Sequence, residues 1–218
     1  MSFNKLFNFL SNLHKNNNKE WMDAHRQEYF EVRDFYIEWL NTMDIKLAKV
    51  DVDYTPTTGK KAINRINNNL LFHPDRPTYK DHFGAGLDQE SKQGDFYIQL
   101  GVYGSFIAGG YYKPKSSIIK SIRQAIDYNG EDLKAILNKK SFKKIFGELV
   151  GDGDSLQTAP KGYSQDHPHI DLLRRKTFAV QCTLTQKEIE SSSFDDQVIK
   201  IYKEMLPFRK YLNQAVTI

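Results

Sequence analysis

The sequence predicts an α+β protein: N-terminal helices packed on a mainly antiparallel sheet, with further helices at the C-terminus. Three observations carry that prediction. Apolar residues at three- and four-residue spacing fill most of the first fifty positions. Two aromatic-rich segments, Asp95–Tyr103 and Ser105–Tyr112, flank Gly104 as the strands of a hairpin would. The remaining strands and helices alternate without a βαβα rhythm, which argues against a doubly wound parallel sheet. One domain over residues 1–218 is expected, helical over about 1–50, with chain enough to bury a real core.

Taken in order, Ser2 is a fitting N-cap for a first helix whose stripe is Phe3, Leu6, Phe7, Leu10 and Leu13. Asn16-Asn17-Asn18 interrupts it, because asparagine bonds its own backbone and favours caps and turns. A second helical region runs from Lys19 to Lys49, and its length predicts a break near His25–Gln27. Asp51–Gly59 is a loop, Lys61–Asn67 reads as a strand, and Phe72–Gly86 reads as irregular backbone because of Pro74, Pro77, Gly84 and Gly86.

Pro114 fits the first position of a helix that Asn129-Gly130 should end. Two short helices, Glu131–Leu137 and Phe142–Phe146, should follow. Gly151-Asp152-Gly153-Asp154 lacks the ligand spacing of a calcium loop and reads as a turn. Asp166-His167-Pro168 reads as a capped helix start, with His167 among its first residues. Phe178–Leu184 is the last strand, and Thr185-Gln186-Lys187-Glu188 has the capping-box pattern. A helix near Asp195–Met205 should break at Pro207.

Composition narrows the function classes. The formal charge of +4 is mildly basic, which suits an anionic partner but is too weak to indicate nucleic acid by itself. The lone Cys182 excludes an internal disulfide and fits a reducing compartment, so a cytoplasmic location is expected. No apolar run approaches the roughly 20 residues needed to span a bilayer, and no membrane partner is expected.

Chemistry centres on basic, amide and aromatic residues. Arg65, Arg76, Lys80, Lys161, Arg174, Arg175 and Lys176 are candidates for an anion site, since arginine grips phosphate or carboxylate through paired hydrogen bonds and lysine adds a compact charge. The alternative for these charges is structural pairing with Asp75, Asp81, Asp166 or Asp171. Asn67, Tyr79 and Tyr163 could orient a ligand, and Tyr97, Tyr103, Tyr111 and Tyr112 could stack on one or simply pack across strands. His73, His82, His167 and His169 lie near carboxylates, but their spacing matches no recognised metal pattern, so no metal is expected. There is no nucleophile elbow, phosphate loop or dinucleotide fingerprint.

Four motifs in order resemble a known family. They are Asn17-Asn18-Lys19-Glu20-Trp21 with Tyr29; Arg65-Ile66-Asn67 with Phe72, Asp75-Arg76 and Tyr79-Lys80; Gly109-Gly110-Tyr111-Tyr112 with Pro114; and Pro160-Lys161-Gly162-Tyr163 with Asp166-His167-Pro168, Asp171-Leu172-Leu173-Arg174 and Lys176. The chain resembles the family catalogued as domain of unknown function 2461 over nearly its whole length. The resemblance implies one α+β domain with no established activity. Asn68, Asn69 and Leu71 stand where that family usually carries Arg, Asp and Arg, and Thr78 stands where it usually carries Pro. If the family's centre is catalytic, this chain has lost part of it.

The expected function is a basic, polar cleft for a small anionic ligand, phosphate-bearing ones included. Arg65, Lys80, Lys161 and Arg174 would hold charge, Asn67, Tyr79 and Tyr163 would orient, and His167 would be the proton carrier of any catalysis. The alternative is a non-catalytic interaction module for a protein or nucleic-acid partner. No motif fixes a cofactor or an oligomeric state. His167 separates enzyme from scaffold: a structural histidine there is buried and bonded to backbone, whereas a catalytic one keeps a ring nitrogen free.

Overall fold

The computed structural model describes residues 1–89, 94, 96–151, 153 and 155–216. The expected Asp152 and Asp154 turn and the first residue of the expected strand, Asp95, lie outside the described residues. The architecture is α+β: helices come first, a four-stranded antiparallel sheet follows in the order β1-β2-β3-β4, and a long helix closes the chain. The strands are β1 (His82–Leu87), β2 (Phe96–Gly101), β3 (Ser105–Tyr111) and β4 (Phe178–Leu184).

The chain packs as two compact units. The first holds Met1–Gln89, Phe96–Ile107 and Thr183–Ile199; the second holds the described residues of Glu90–Asp95, Ala108–Cys182 and Lys200–Ile218.

In the first unit, the Ser2 hydroxyl caps α1 (Phe3–Lys15) by accepting from the Lys5 amide. Leu6, Leu10 and Leu13 make the buried face. Asn16 ends α1, and the Asn18 side chain caps α2 (Lys19–Ala24) through the Trp21 amide at 2.9 Å. His25 is the expected break between α2 and α3 (Arg26–Ala48), its ring stacked on Trp21 with centroids 4.0 Å apart. Tyr36, Leu40, Met43 and Leu47 of α3 are fully buried. At the far end of this unit the Thr185 capping box opens α8 (Gln186–Ile189) as expected, with α4 (Gly59–Ala62) and the helices of the second unit numbered between them.

Two expectations in this unit are corrected. Lys61–Asn67 is not a strand: α4 takes its first residues, and the rest forms isolated bridges, Ile63 to Ala85 of β1 and Asn67 to Tyr79 ahead of it. High asparagine content, poor in β propensity, explains why no ladder forms. Conversely, His82–Leu87 is not irregular but is β1, paired antiparallel with β2 from His82 opposite Gly101 to Leu87 opposite Phe96. Gly84 is a fitted residue rather than a breaker. A β-carbon there would meet the Tyr97 hydroxyl at 2.2 Å, so only glycine lets that phenol pass over β1 beside the Asn64 amide.

In the second unit, α5 (Ser116–Asn138) begins two residues after Pro114, which therefore precedes the cap at Lys115 instead of opening the helix. The expected break at Asn129-Gly130 is present as a kink: Asn129 leaves helical geometry (φ −145°, ψ 45°), and a second helical stretch follows where Glu131–Leu137 was expected. Gly130 is needed at the kink because a β-carbon would lie 2.5 Å from the His169 ring. Next come α6 (Lys140–Phe146), closed by Gly147 at φ 67°, and α7 (Ile170–Leu173). His169 is the N-cap of α7, so His167 lies ahead of the helix and not in its first turn. The closing helix α9 (Phe194–Val216) continues through Pro207, because buried Met205, Phe208 and Leu212 hold it on both sides of the proline. Cys182 lies half-buried on β4.

Candidate functional site

Arg65, Asn67, Tyr79 and Lys80 are brought together in the first unit. The Asn67–Tyr79 bridge and the Lys80 amide, which donates to the Ile66 carbonyl at 2.7 Å, lay segment 63–68 against segment 77–85. Asn17 fixes this pairing from a distance. Its amide nitrogen donates to the Tyr79 carbonyl at 2.9 Å, and its amide oxygen accepts from the Tyr79 N–H at 2.8 Å. Two hydrogen bonds to the backbone of a single residue explain Asn17 in the first motif, as capping explains Asn18. Tyr79 itself is only 5% exposed, so its contribution here is backbone position rather than an open hydroxyl.

Lys80 is the focus of the arrangement. Its ammonium donates to the carbonyls of Arg65 and, at 3.2 Å, Asn67, and it has no carboxylate partner among the described residues. Desolvation, followed by the neighbouring charges of Arg65 and Arg76, pushes its pKa below the ordinary lysine value. The exposed guanidinium groups of Arg65 and Arg76 likewise have no acidic partner among the described residues. Arg65 and Arg76 thus each disfavour the Lys80 charge, whose ammonium meets carbonyl dipoles rather than a carboxylate. An arriving anion would relieve that repulsion.

A second arrangement in this unit was not visible in the sequence. The Tyr103 hydroxyl lies 2.7 Å from His14 Nε2, His14 Nδ1 lies 3.1 Å from Asp81 Oδ2, and the other Asp81 oxygen lies 3.4 Å from His82 Nδ1. A carboxylate–imidazole–hydroxyl chain of this order can draw a proton from the hydroxyl. Tyr103 is 76% exposed, however, so water screens the chain, and its immediate effect is to tie α1 to the β2–β3 turn. His14 ends a helix 67 residues from Asp81, a separation no spacing rule reads.

Lys161, Tyr163, His167 and Arg174 lie in the second unit, on a strap that runs along α5. Four successive turns of that helix reach the strap. Arg123 donates to the Leu173 carbonyl at 2.7 Å, Asp127 meets His167, Gly130 seats His169, and Lys134 donates to the Pro168 carbonyl at 2.7 Å. The Nδ1 atom of His167 accepts the His169 amide at 3.0 Å, so the ring proton is on Nε2 and is donated to Asp127 at 3.0 Å. Both ring nitrogens are occupied, and the side chain is 16% exposed.

Tyr163 packs its ring edge against His167, and burial, helped by Asp127, raises its pKa. Arg174 donates to Gln165, while its buried Nε has no hydrogen-bond partner. Arg175 binds the Val150 and Thr177 carbonyls. Lys161 is exposed and has no polar side-chain partner among the described residues. Lys176, with Lys113 and Arg123, lines a hollow of about 380 Å³ in this unit.

Among the described residues no group of three or more His, Cys, Asp or Glu side chains could hold a metal ion, and no helix is long and apolar enough to cross a membrane. A comparison with curated proteins and with solved structures finds no match. A family model described as "Conserved hypothetical protein (DUF2461)" matches residues 5–211. The span takes in all four motifs: the Asn17 clamp with its capping neighbour, the cationic segment it fixes, the glycine-rich end of β3 and the strap on α5. The chain belongs to the DUF2461 family.

Proposed function

We propose that this chain is a binding domain for a small phosphate-bearing anion, held in the first unit by Arg65, Arg76 and Lys80. The observation that supports the reading is the state of Lys80: a half-buried ammonium, repelled by two arginines and met only by carbonyl oxygens. A partly buried ammonium with two cations beside it and no carboxylate fits a site whose counter-charge comes from a ligand. The arginine forks would take phosphate oxygens in pairs, Lys80 would add a point charge, and the exposed Asn67 amide would orient the bound group.

We read the second-unit residues differently. With both His167 nitrogens engaged and Tyr163 and Arg174 packed along α5, these side chains serve the strap, and Lys161 adds surface charge. The domain is accordingly a binder rather than a catalyst.

Thermal shift with inorganic pyrophosphate tests the reading. Wild type should gain about 2.7 kcal/mol at a hundredfold excess over Kd. Arg65→Ala and Arg76→Ala should each weaken binding by about 1.5–3 kcal/mol, the size of a charge-assisted contact. His167→Ala should melt earlier yet keep the full ligand shift. An equal shift in wild type and in the Arg65→Ala/Arg76→Ala double variant would sink the proposal, as would no shift in either.

A further inference from the structure

The same segment carries an exposed apolar tip. Between Asn68 and Thr78 the chain leaves the fold as a loop closed at its base, with the Asn68 amide on the Thr78 carbonyl at 3.0 Å and the Asn68 side chain on the Pro77 carbonyl at 2.8 Å. Within it the His73 amide bonds the Asn69 carbonyl at 3.0 Å and the Arg76 amide bonds the His73 carbonyl at 3.2 Å, so the loop is folded on itself. Its apex is Leu70-Leu71-Phe72, and Leu71 and Phe72 are 85% and 72% exposed. Large apolar side chains grouped this way on a surface mark a contact site, whereas single scattered ones do not. Arg65 and Lys80 flank the two ends of this loop, held together by the Lys80 ammonium on the Arg65 carbonyl, and Arg76 lies just inside its closing end.

We propose that this loop docks the protein on an anionic lipid surface, the apolar apex entering the headgroup boundary while the three cations at its base meet lipid phosphates and carboxylates. The inference rests on the anion-binding reading above and names where that anion resides. The pairing of apolar tip and cationic collar is what selects this occupant. Aliphatic Leu70 and Leu71 offer nothing to a stacked base, and a protein partner would not require unpaired cations around the tip. A lipid interface takes apolar side chains and basic ones at successive depths. No spanning helix is needed for such an attachment.

The test is cosedimentation of the full chain with phosphatidylcholine vesicles, with and without phosphatidylserine. Wild type should pellet with the anionic vesicles only and be released by added salt. Arg76→Ala should weaken binding about fivefold, as expected for one basic residue at a charged bilayer. Leu71→Ser/Phe72→Ser should weaken it at least tenfold while keeping the wild-type melting temperature and pyrophosphate shift, since both side chains are in water in the free protein.

Vesicle binding that ignores the Leu71→Ser/Phe72→Ser change overturns the docking proposal, leaving a merely electrostatic surface. No vesicle binding together with a normal pyrophosphate shift overturns it and keeps the anion site. No vesicle binding and no pyrophosphate shift removes both. Two further outcomes overturn lipid as the occupant: retardation of an oligonucleotide that depends on Phe72, or self-association that the double variant abolishes, in either case with vesicles ignored.

Discussion

The cationic segment of the first unit and the strap of the second use similar residues to opposite ends. Where the strap meets α5, charged and titratable groups find partners in their own unit: Arg123 two carbonyls, Lys134 a carbonyl and Asp171, His167 a carboxylate and an amide. On the segment, the charges of Arg65 and Arg76 both act on Lys80, and none of the three has a carboxylate partner among the described residues. A paired charge stabilises a fold only modestly, but its loss strands the partner. A charge without a partner costs the fold and is retained for something else. The two regions should therefore respond in opposite ways to deletion.

The largest effect is expected at Gly130. Valine there drives a side chain into the buried His169 ring and should cost about 3 kcal/mol by chemical denaturation; a cost below about 1 kcal/mol would mean the strap is loosely held. Next is Asn17→Ala, which leaves both polar groups of the Tyr79 peptide unmatched and should cost about 2 kcal/mol and also weaken pyrophosphate binding. A loss of stability without loss of binding would show that the clamp does not position the cations.

Arg76→Ala should change stability by no more than about 0.5 kcal/mol, or raise it. Because the Arg76 charge depresses Lys80, its removal should raise the Lys80 pKa. Wild-type anion binding should fade as pH rises through the depressed Lys80 pKa, below 10.5, and the variant should hold its ligand to higher pH. An unchanged pH profile would break the link between the two side chains.

The smallest effect is on a slope. Burial holds the His82 pKa below 6.5, with Asp81 opposing in part. The unfolded chain thus takes up that proton first on acidification. Stability should fall as pH drops from 6.5 toward the folded pKa and be independent of this group above 6.5. His82→Asn should flatten that part of the stability curve, and an unaltered curve would assign the slope to other groups.

Local chemistry was legible in the sequence. Ser2, Asn18 and Thr185 each cap the helix their residue type and position foretold, and β4 runs from Phe178 to Leu184 as its β-branched and aromatic content indicated. What was not legible depended on neighbours distant in the chain. Gly84 and Gly86 read as breakers because the Tyr97 hydroxyl that requires Gly84 arrives from another strand. Asn129-Gly130 announced the break in α5, but nothing local announces the His169 ring that sits against it. The basic residues could be named, but whether each had a partner could not. Both Lys80 and Arg123 donate to two carbonyls; what distinguishes Lys80 is the pair of arginine charges beside it.

The Asn17 clamp also sets an order of events during folding. Its two atoms and the Tyr79 peptide are separated by 62 residues, so the contact forms only after a long stretch of chain has been drawn together. On a ribosome, where the N-terminus emerges first, the asparagine waits through the synthesis of α3 before its partner exists. The cations at positions 65, 76 and 80 acquire a common geometry at the end of that process, so a partly folded chain would carry the same charge as the native one but no means of gathering it.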